Sequence, residues 1–264
     1  MIDIFQGSGA PLTGKGLTEA LDQLKAPDRA VGLWSVISVE TRGFGFLPDR
    51  RPKILFERHI FHRRTGGVYD AAYPNISSSA PGGYAGGAAE YLRLKRAMLL
   101  DRRNALESAS WGMGQIMGFN ATGLGYTNVE AMIAAFKGGE DAQLEGCARF
   151  IAGNPPLAAA FRSSDWARVA FFYNGSSYAQ NGYDRKLAAS SRRYETSGTP
   201  DVELRAAQAR LTYLGYDTGG VDGELGPLTR AALNAFQSRK ELAPKSPGVL
   251  DDATSKALAL AAGV

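Results

Sequence analysis

Cysteine is almost absent from this chain. Cys147 stands alone among 264 residues, so no disulfide can close within it. Its neighbours Ala148, Phe150 and Ile151 point to a buried structural thiol rather than a nucleophile. Histidine is nearly as scarce. His59 and His62 are three apart, but a metal centre needs more ligands and no third lies in register. On the strand expected there, the two rings would face opposite sides. Neither a metal nor a cofactor is expected. No apolar run approaches the roughly 20 residues that span a bilayer, which argues against membrane insertion. The opening MIDIFQGSGAPLTGKG lacks the basic-then-apolar order of a cleavable signal. The chain is therefore expected to stay in the cytoplasm until something releases it. No local elbow motif suggests a Ser-His-Asp set, and GGYAGG lacks the Lys-Ser/Thr of a phosphate loop.

What is present suits an ordinary soluble core. Hydrophobic residues make up 44% of the chain, and the length fits one or two domains. The net charge of +4 is uneven: residues 201–264 carry one more acidic than basic side chain, leaving +5 for residues 1–200. A mildly basic first part suits an anionic polymer, whether nucleic acid or cell wall. Nucleic acid is disfavoured, because the excess is small and no base-stacking motif accompanies it.

Taken in order, residues 1–16 read as a loose lead-in. Thr18 to Lys25 reads as a short helix with Thr18 as its cap, and Asp28 as the cap of a helix ending at Glu40. Lys53 to His59 alternates as a strand does. Residues 65–87, with TGG, SSSAPGG and GG, read as a long surface loop or lid. Ala88 to Arg103 reads as one helix with a basic face, and SWGMGQIMGF (110–119) as a stretch permitting close backbone approach. Helices are expected at 129–136, 141–151, 166–173 and 183–190. SRRYETSGTP (191–200) reads as a flexible linker. Beyond it, helices are expected at 202–214, 229–238 and 252–261. This divides the chain into residues 1–190, a linker at 191–200, and a small domain at 201–264.

The chemistry is placed in WSVISVETRGFGFLPDRRPKILFERHIF (34–61). Val31, Trp34, Ile37 and Ser38 recur at helical spacing, and Glu40 closes that run before Gly43 and Gly45 stop the helix. A carboxyl there is partly desolvated, and desolvation raises its pKa toward the range a general acid needs. The plainer alternative is a solvated glutamate at a helix end.

Residues 202–258 resemble the peptidoglycan-binding module of the PG_binding_1 type, carried by VELRAAQARLTYLGYDTGGVDGELGPLTRAALNAFQ and GVLDDAT. The resemblance implies three helices that bind wall polymer without catalysis, with Tyr216, Asp222 and Thr229 as wall-contact candidates. The first domain resembles the N-acetylmuramidase domain of bacteriophage endolysins, through VISVETRGFGFLPDRRPKILFERHIFHR (36–63), SWGMGQIMGFN (110–120) and FFYNGSSYAQNGYDRKLA (171–188). Thr41-Arg42 depart from the serine and small residue that lysozyme-like relatives often carry after the glutamate. The expected fold class is therefore mainly α: a lysozyme-like helical domain with a small β element, plus a three-helix domain. The resemblance makes Glu40 the catalytic acid and puts Gln115, Tyr173 and Asn174 against substrate.

Glycoside hydrolysis usually uses a second carboxylate. Glu57 is the first choice, set against a structural pairing with Arg58 or Arg51, and Asp49 is a weaker choice. The implied partner is bacterial peptidoglycan, engaged by a monomer released from the host cytoplasm to the wall at lysis. Two alternatives stay open: a lytic transglycosylase leaving anhydro-muramic ends, and a non-catalytic wall-binding protein.

Overall fold

Helix dominates because most apolar residues recur at helical spacing, and the glycine-rich stretches between them supply the turns. The computed structural model describes residues 3–264. Helix α1 spans Gly14–Gln23 and α2 spans Ala30–Thr41. The cap of α1 is Thr13, not Thr18, because the Thr13 hydroxyl accepts from the Gly16 N–H at 2.9 Å. Arg29 precedes α2 without a side-chain cap. Helix α2 needs little help from capping: Leu33, Trp34, Val36 and Ile37 are all within 1% of full burial, so packing holds it.

Strand β1 (Ile54–Phe56) is shorter than expected. Glu57 ends it and begins α3 (Arg58–Thr65), so His59 and His62 sit on a helix rather than a strand. The expected helix over 88–103 is two, α4 (Glu90–Leu100) and α5 (Arg102–Glu107). Asp101 adopts an extended conformation and its carboxylate accepts from the Asn104 N–H at 3.0 Å. The SWGMGQIM stretch makes a hairpin of β2 (Ala109–Trp111) and β3 (Ile116–Met117). The sheet is antiparallel in the order β1-β2-β3, with Ile54 opposite Trp111 and Ser110 opposite Met117.

Helices α6 (Val129–Gly138) and α7 (Glu140–Ala152) follow. Helix α8 (Pro155–Arg162) was not expected. Its start is nonetheless written in the sequence, with Asn154 capping the Leu157 N–H and proline in the first turn. Helices α9 (Trp166–Asn174) and α10 (Tyr183–Ser197) complete the first part. Helix α10 continues well past Ser190, and most of the segment read as a flexible linker is helical. Ser191 and Tyr194 are buried on its inner face, so tertiary packing overrides the polar composition.

Two adjoining cores result. One surrounds α2 with Leu144, Cys147, Ile151, Phe161 and Leu187. The other lies between the sheet and α4, with Phe56, Phe61, Tyr91, Trp111 and Phe136. Helices α11 (Val202–Tyr213), α12 (Pro227–Arg239) and α13 (Asp252–Ala262) enclose a third around Leu211, Leu233, Phe236 and Leu258. The mainly-α class holds, with the sheet its one small β element.

The three-helix part does not hang free. Phe44 and Phe46 from the first part bury with Ala209 and Val221 from the second, and the Tyr213 hydroxyl donates to the Gly9 carbonyl at 2.8 Å. At the seam's centre Arg205 and Glu140, both fully buried, form an ion pair with N···O distances of 2.6 Å. Arg205 Nε also donates to the Gly43 carbonyl at 3.0 Å. The Gly45 and Leu12 N–H groups donate to the Glu140 carboxylate at 2.9 and 3.0 Å. No helix among the described residues is long and apolar enough to cross a membrane.

Candidate active site

The end of α2 delivers Glu40 to a cleft. The helix is rigid because α10 packs along it, with the Ser38 and Ser190 hydroxyls bonded at 2.7 Å. Thr41 donates to the Ile37 and Met113 carbonyls at 3.2 and 3.0 Å, tying the last turn to the hairpin. Arg42 then takes the left-handed conformation (φ 57°) and Gly43 follows at φ 76°. Glycine at Gly43 avoids the Cβ penalty that this turn imposes.

Burial pushes the Glu40 carboxyl up from 4.5 to about 7, while hydrogen bonding from Tyr183 and Asn174 pulls the other way. The Tyr183 hydroxyl donates directly to Glu40 Oε1. Burial together with the neighbouring Glu40 holds the Tyr183 phenol well above its ordinary range, so it remains a donor. Glu40 is thus a carboxyl that keeps a substantial protonated fraction at neutral pH.

Glu57 lines the same cleft, with Leu55, His59, Gln115 and Asn174. It sits where β1 gives way to α3, its N–H donating to the Ser108 carbonyl at 2.9 Å. Among the described residues its carboxylate pairs with no arginine. Arg58 donates to the Ala80 and Pro81 carbonyls, and Arg51 pairs with Asp49 and Asp3. Instead the Tyr84 hydroxyl donates to Glu57 Oε2 at 2.8 Å, and His59 Nδ1 stands 3.1 Å from the same oxygen. Asp49, held by Arg51, does not line the cleft.

Tyr84 was not singled out from sequence, although an aromatic set between glycine pairs in GGYAGG was a usable signal. The loop that carries it is pinned at several points. Asp70 takes the Ser77 hydroxyl at 2.5 Å and lies 2.7 Å from His62 Nδ1. Glu90, fully buried, accepts from the Ala85 and Gly86 N–H groups. Tyr183 was also missed as a site residue, because only the packing of α10 on α2 brings it to Glu40.

The structure brings Gln115, Tyr173 and Asn174 to the cleft with Glu40 and Glu57. The Gln115 amide is spent internally, accepting from Ser110 Oγ at 2.8 Å and donating to the Gly112 carbonyl at 2.9 Å. Tyr173 donates to the Gly114 carbonyl at 2.7 Å. These two shape the cleft wall, and Asn174 lines the same cleft beside Glu40. Cys147 is buried, 3.3 Å from the Tyr173 hydroxyl, and burial pushes its thiol up to about 12. Among the described residues no group of three or more His, Cys, Asp or Glu is arranged to hold a metal.

In the three-helix part, the Asp222 carboxylate accepts from Gln208 Nε2 and the Glu224 N–H. Thr229 is buried and its hydroxyl donates to the Thr218 carbonyl at 3.0 Å. The Tyr216 ring packs on Phe236 with centroids 6.1 Å apart. All three build the glycine-rich loop and its core contacts. A groove lined by Asp201, Leu225, Leu250, Asp251 and Ser255 lies elsewhere on this part and includes none of them.

The family model described as N-acetylmuramidase matches residues 29–195. The model described as putative peptidoglycan binding domain matches residues 200–258. Comparison with curated proteins gives no match. Among solved structures, the Burkholderia AP3 phage endolysin is similar, with 43% sequence identity and a TM-score of 0.64. That match covers 72% of this chain and 73% of the other. With both family models matched and an endolysin structure 43% identical, the chain belongs to the N-acetylmuramidase family, as a modular phage endolysin that hydrolyses peptidoglycan.

Proposed function

We propose that the chain is a muramidase that hydrolyses the β-1,4 bond between N-acetylmuramic acid and N-acetylglucosamine, and that it acts at host lysis. The observation that carries this reading is a half-buried Glu40 carboxyl, pushed up to about 7 by desolvation, in one cleft with a second carboxylate, Glu57. Glu40 gives its proton to the glycosidic oxygen as the C–O bond breaks. The leaving sugar departs as an alcohol, so no alkoxide forms. Glu57 orients a water molecule and takes one of its protons as the hydroxyl adds to the anomeric carbon. Tyr84, donating to Glu57 Oε2, fixes the direction of that carboxylate. Tyr183, donating to Glu40 Oε1, holds the acid in place. Buried Thr229 acts by shaping the wall-binding part, while exposed Asp222 and half-buried Tyr216 stay available to touch polymer.

The test is digestion of purified sacculi, with mass spectrometry of the products. Reducing muramic-acid ends are expected from the wild type, and no products from folded Glu40→Gln. Anhydro-muramic ends would replace this reading with transglycosylation. Binding without any cleavage would replace it with a wall-binding role.

A further inference from the structure

The cleft continues past Glu40 into a second half, bordered by Arg42, Leu47, Lys53 and Gly87, with Glu40, Leu55 and Gln115 common to both halves. The two halves differ in charge. The first contains Glu57; the second adds a guanidinium and an ammonium.

Neither cation has an ion-pair partner among the described residues. Arg42 is exposed. It occupies the left-handed position that closes α2, with φ 57°, a place where glycine is favoured and a β-carbon is strained. Non-glycine residues held in such conformations concentrate at functional sites. The Lys53 ammonium donates to the Thr41 carbonyl at 2.9 Å and stands 5.5 Å from the centroid of the Phe44 ring, and among the described residues it has no carboxylate partner and no second hydrogen bond. Burial is the main cause that brings Lys53 down to about 8; Arg205 and Arg42 add to the fall and Glu140 opposes it. The Glu140 carboxylate is already bound by Arg205, so it does not neutralise Lys53 directly. Nor are these cations tuning the acid, because Glu40 is governed by burial, Tyr183 and Asn174.

Two uncompensated cations beside the scissile position have no counterpart in a neutral sugar. They match a carboxylate, which an arginine fork and a lysine ammonium both recognise. A muramyl residue carries such a group on its lactyl ether, either as the free acid or as the acidic peptide attached there. We propose that Arg42 and Lys53 form a carboxylate subsite that selects muramyl residues over unsubstituted N-acetylglucosamine. This rests on the reading of the cleft as a glycan site.

Three soluble glycans of equal length separate the sources. Strands with peptides carry peptide carboxylates, amidase-stripped strands carry the free lactyl carboxylate, and chitin oligomers carry none. The variant is Arg42→Gly in the full chain, which removes the guanidinium and also relieves the left-handed strain, so it is expected to fold. A second variant is Lys53→Met. KM and kcat are measured on the two muramyl glycans, and chitin oligomer is titrated as a competitive inhibitor. The expected result is a KM raised about tenfold on at least one muramyl glycan, with kcat and the chitin inhibition constant little changed. A rise confined to peptide-bearing strands names the peptide as source, and one confined to stripped strands names the lactyl group. Unchanged KM on both, or an equal loss of chitin affinity, overturns the proposal. Wild-type protein that cuts neither muramyl glycan overturns the muramidase reading and this inference together. Cleavage indifferent to Arg42→Gly and Lys53→Met overturns this inference alone.

Discussion

Arg205→Met tests whether the three-helix part is a tethered appendage or a structural component of the catalytic unit. Methionine keeps much of the length and volume of arginine but removes its charge and donors. It leaves Glu140 fully buried, with only the Leu12 and Gly45 N–H groups to bind its two oxygens. The Gly43 carbonyl, which takes two donors of Arg205, loses both. Removing one partner of a buried pair typically costs about 3–5 kcal/mol. For a chain of this size that lowers Tm by roughly 6–20 °C. The pair itself is isolated by adding Glu140→Gln. In the double variant the amide oxygen still accepts one backbone N–H, and no buried charge is stranded. The double variant should therefore recover about 2 kcal/mol of the summed single losses, as expected for residues in direct contact. Urea and thermal unfolding of the full chain, followed by circular dichroism, read this directly. A single variant losing less than about 1 kcal/mol, or a double variant whose loss equals the sum of the singles, would refute the coupling. The same geometry revises the expectation of independent parts, since removing residues 200–264 would expose Phe44 and Phe46 beside the turn that follows Glu40.

Three further outcomes follow. Glu40 binds its proton more tightly folded than unfolded, so its ionisation costs folding stability as pH rises from 4.5 to about 7. Glu40→Gln should then match wild type in unfolding free energy at pH 4 and exceed it at pH 8 by up to about 3 kcal/mol, with Tm following in the same direction, and wild-type kcat should fall as pH rises through 7. Equal Tm differences at both pH values would contradict the buried-acid assignment. Tyr84→Phe frees Glu57 Oε2 and should lower kcat several-fold with KM and Tm little changed; unaltered kcat would remove Tyr84 from the site. Cys147, buried and with its thiol at about 12, should resist maleimide labelling of the native chain at pH 8 and react after denaturation. Fast native labelling would refute that burial.

The sequence by itself determined more of the catalytic helix than of anything around it. Glu40 at the close of an apolar run, stopped by Gly43, is local information: periodicity places the carboxyl at the edge of the core, and the core raises its pKa. The three apolar helices after residue 201 were legible for the same reason, as was the burial of Cys147. What the tertiary structure alone decided involves partners far apart in the chain. Tyr183 reaches Glu40 only because α10 lies along α2, and Tyr84 reaches Glu57 only because Arg58, Asp70 and Glu90 fold its loop back. Glu57 was the sequence's first choice for the second carboxylate, with pairing to Arg58 or Arg51 as the alternative, and packing sets it in the cleft beside a tyrosine hydroxyl and a histidine. The stretch 191–200 has the composition of a linker, but burying Tyr194 outweighs that composition and extends the helix to Ser197. Nor could Arg205 and Glu140 be matched from sequence. An ion pair 65 residues apart leaves no periodic signal, and only the closing of the seam takes both charges out of water, where each needs the other.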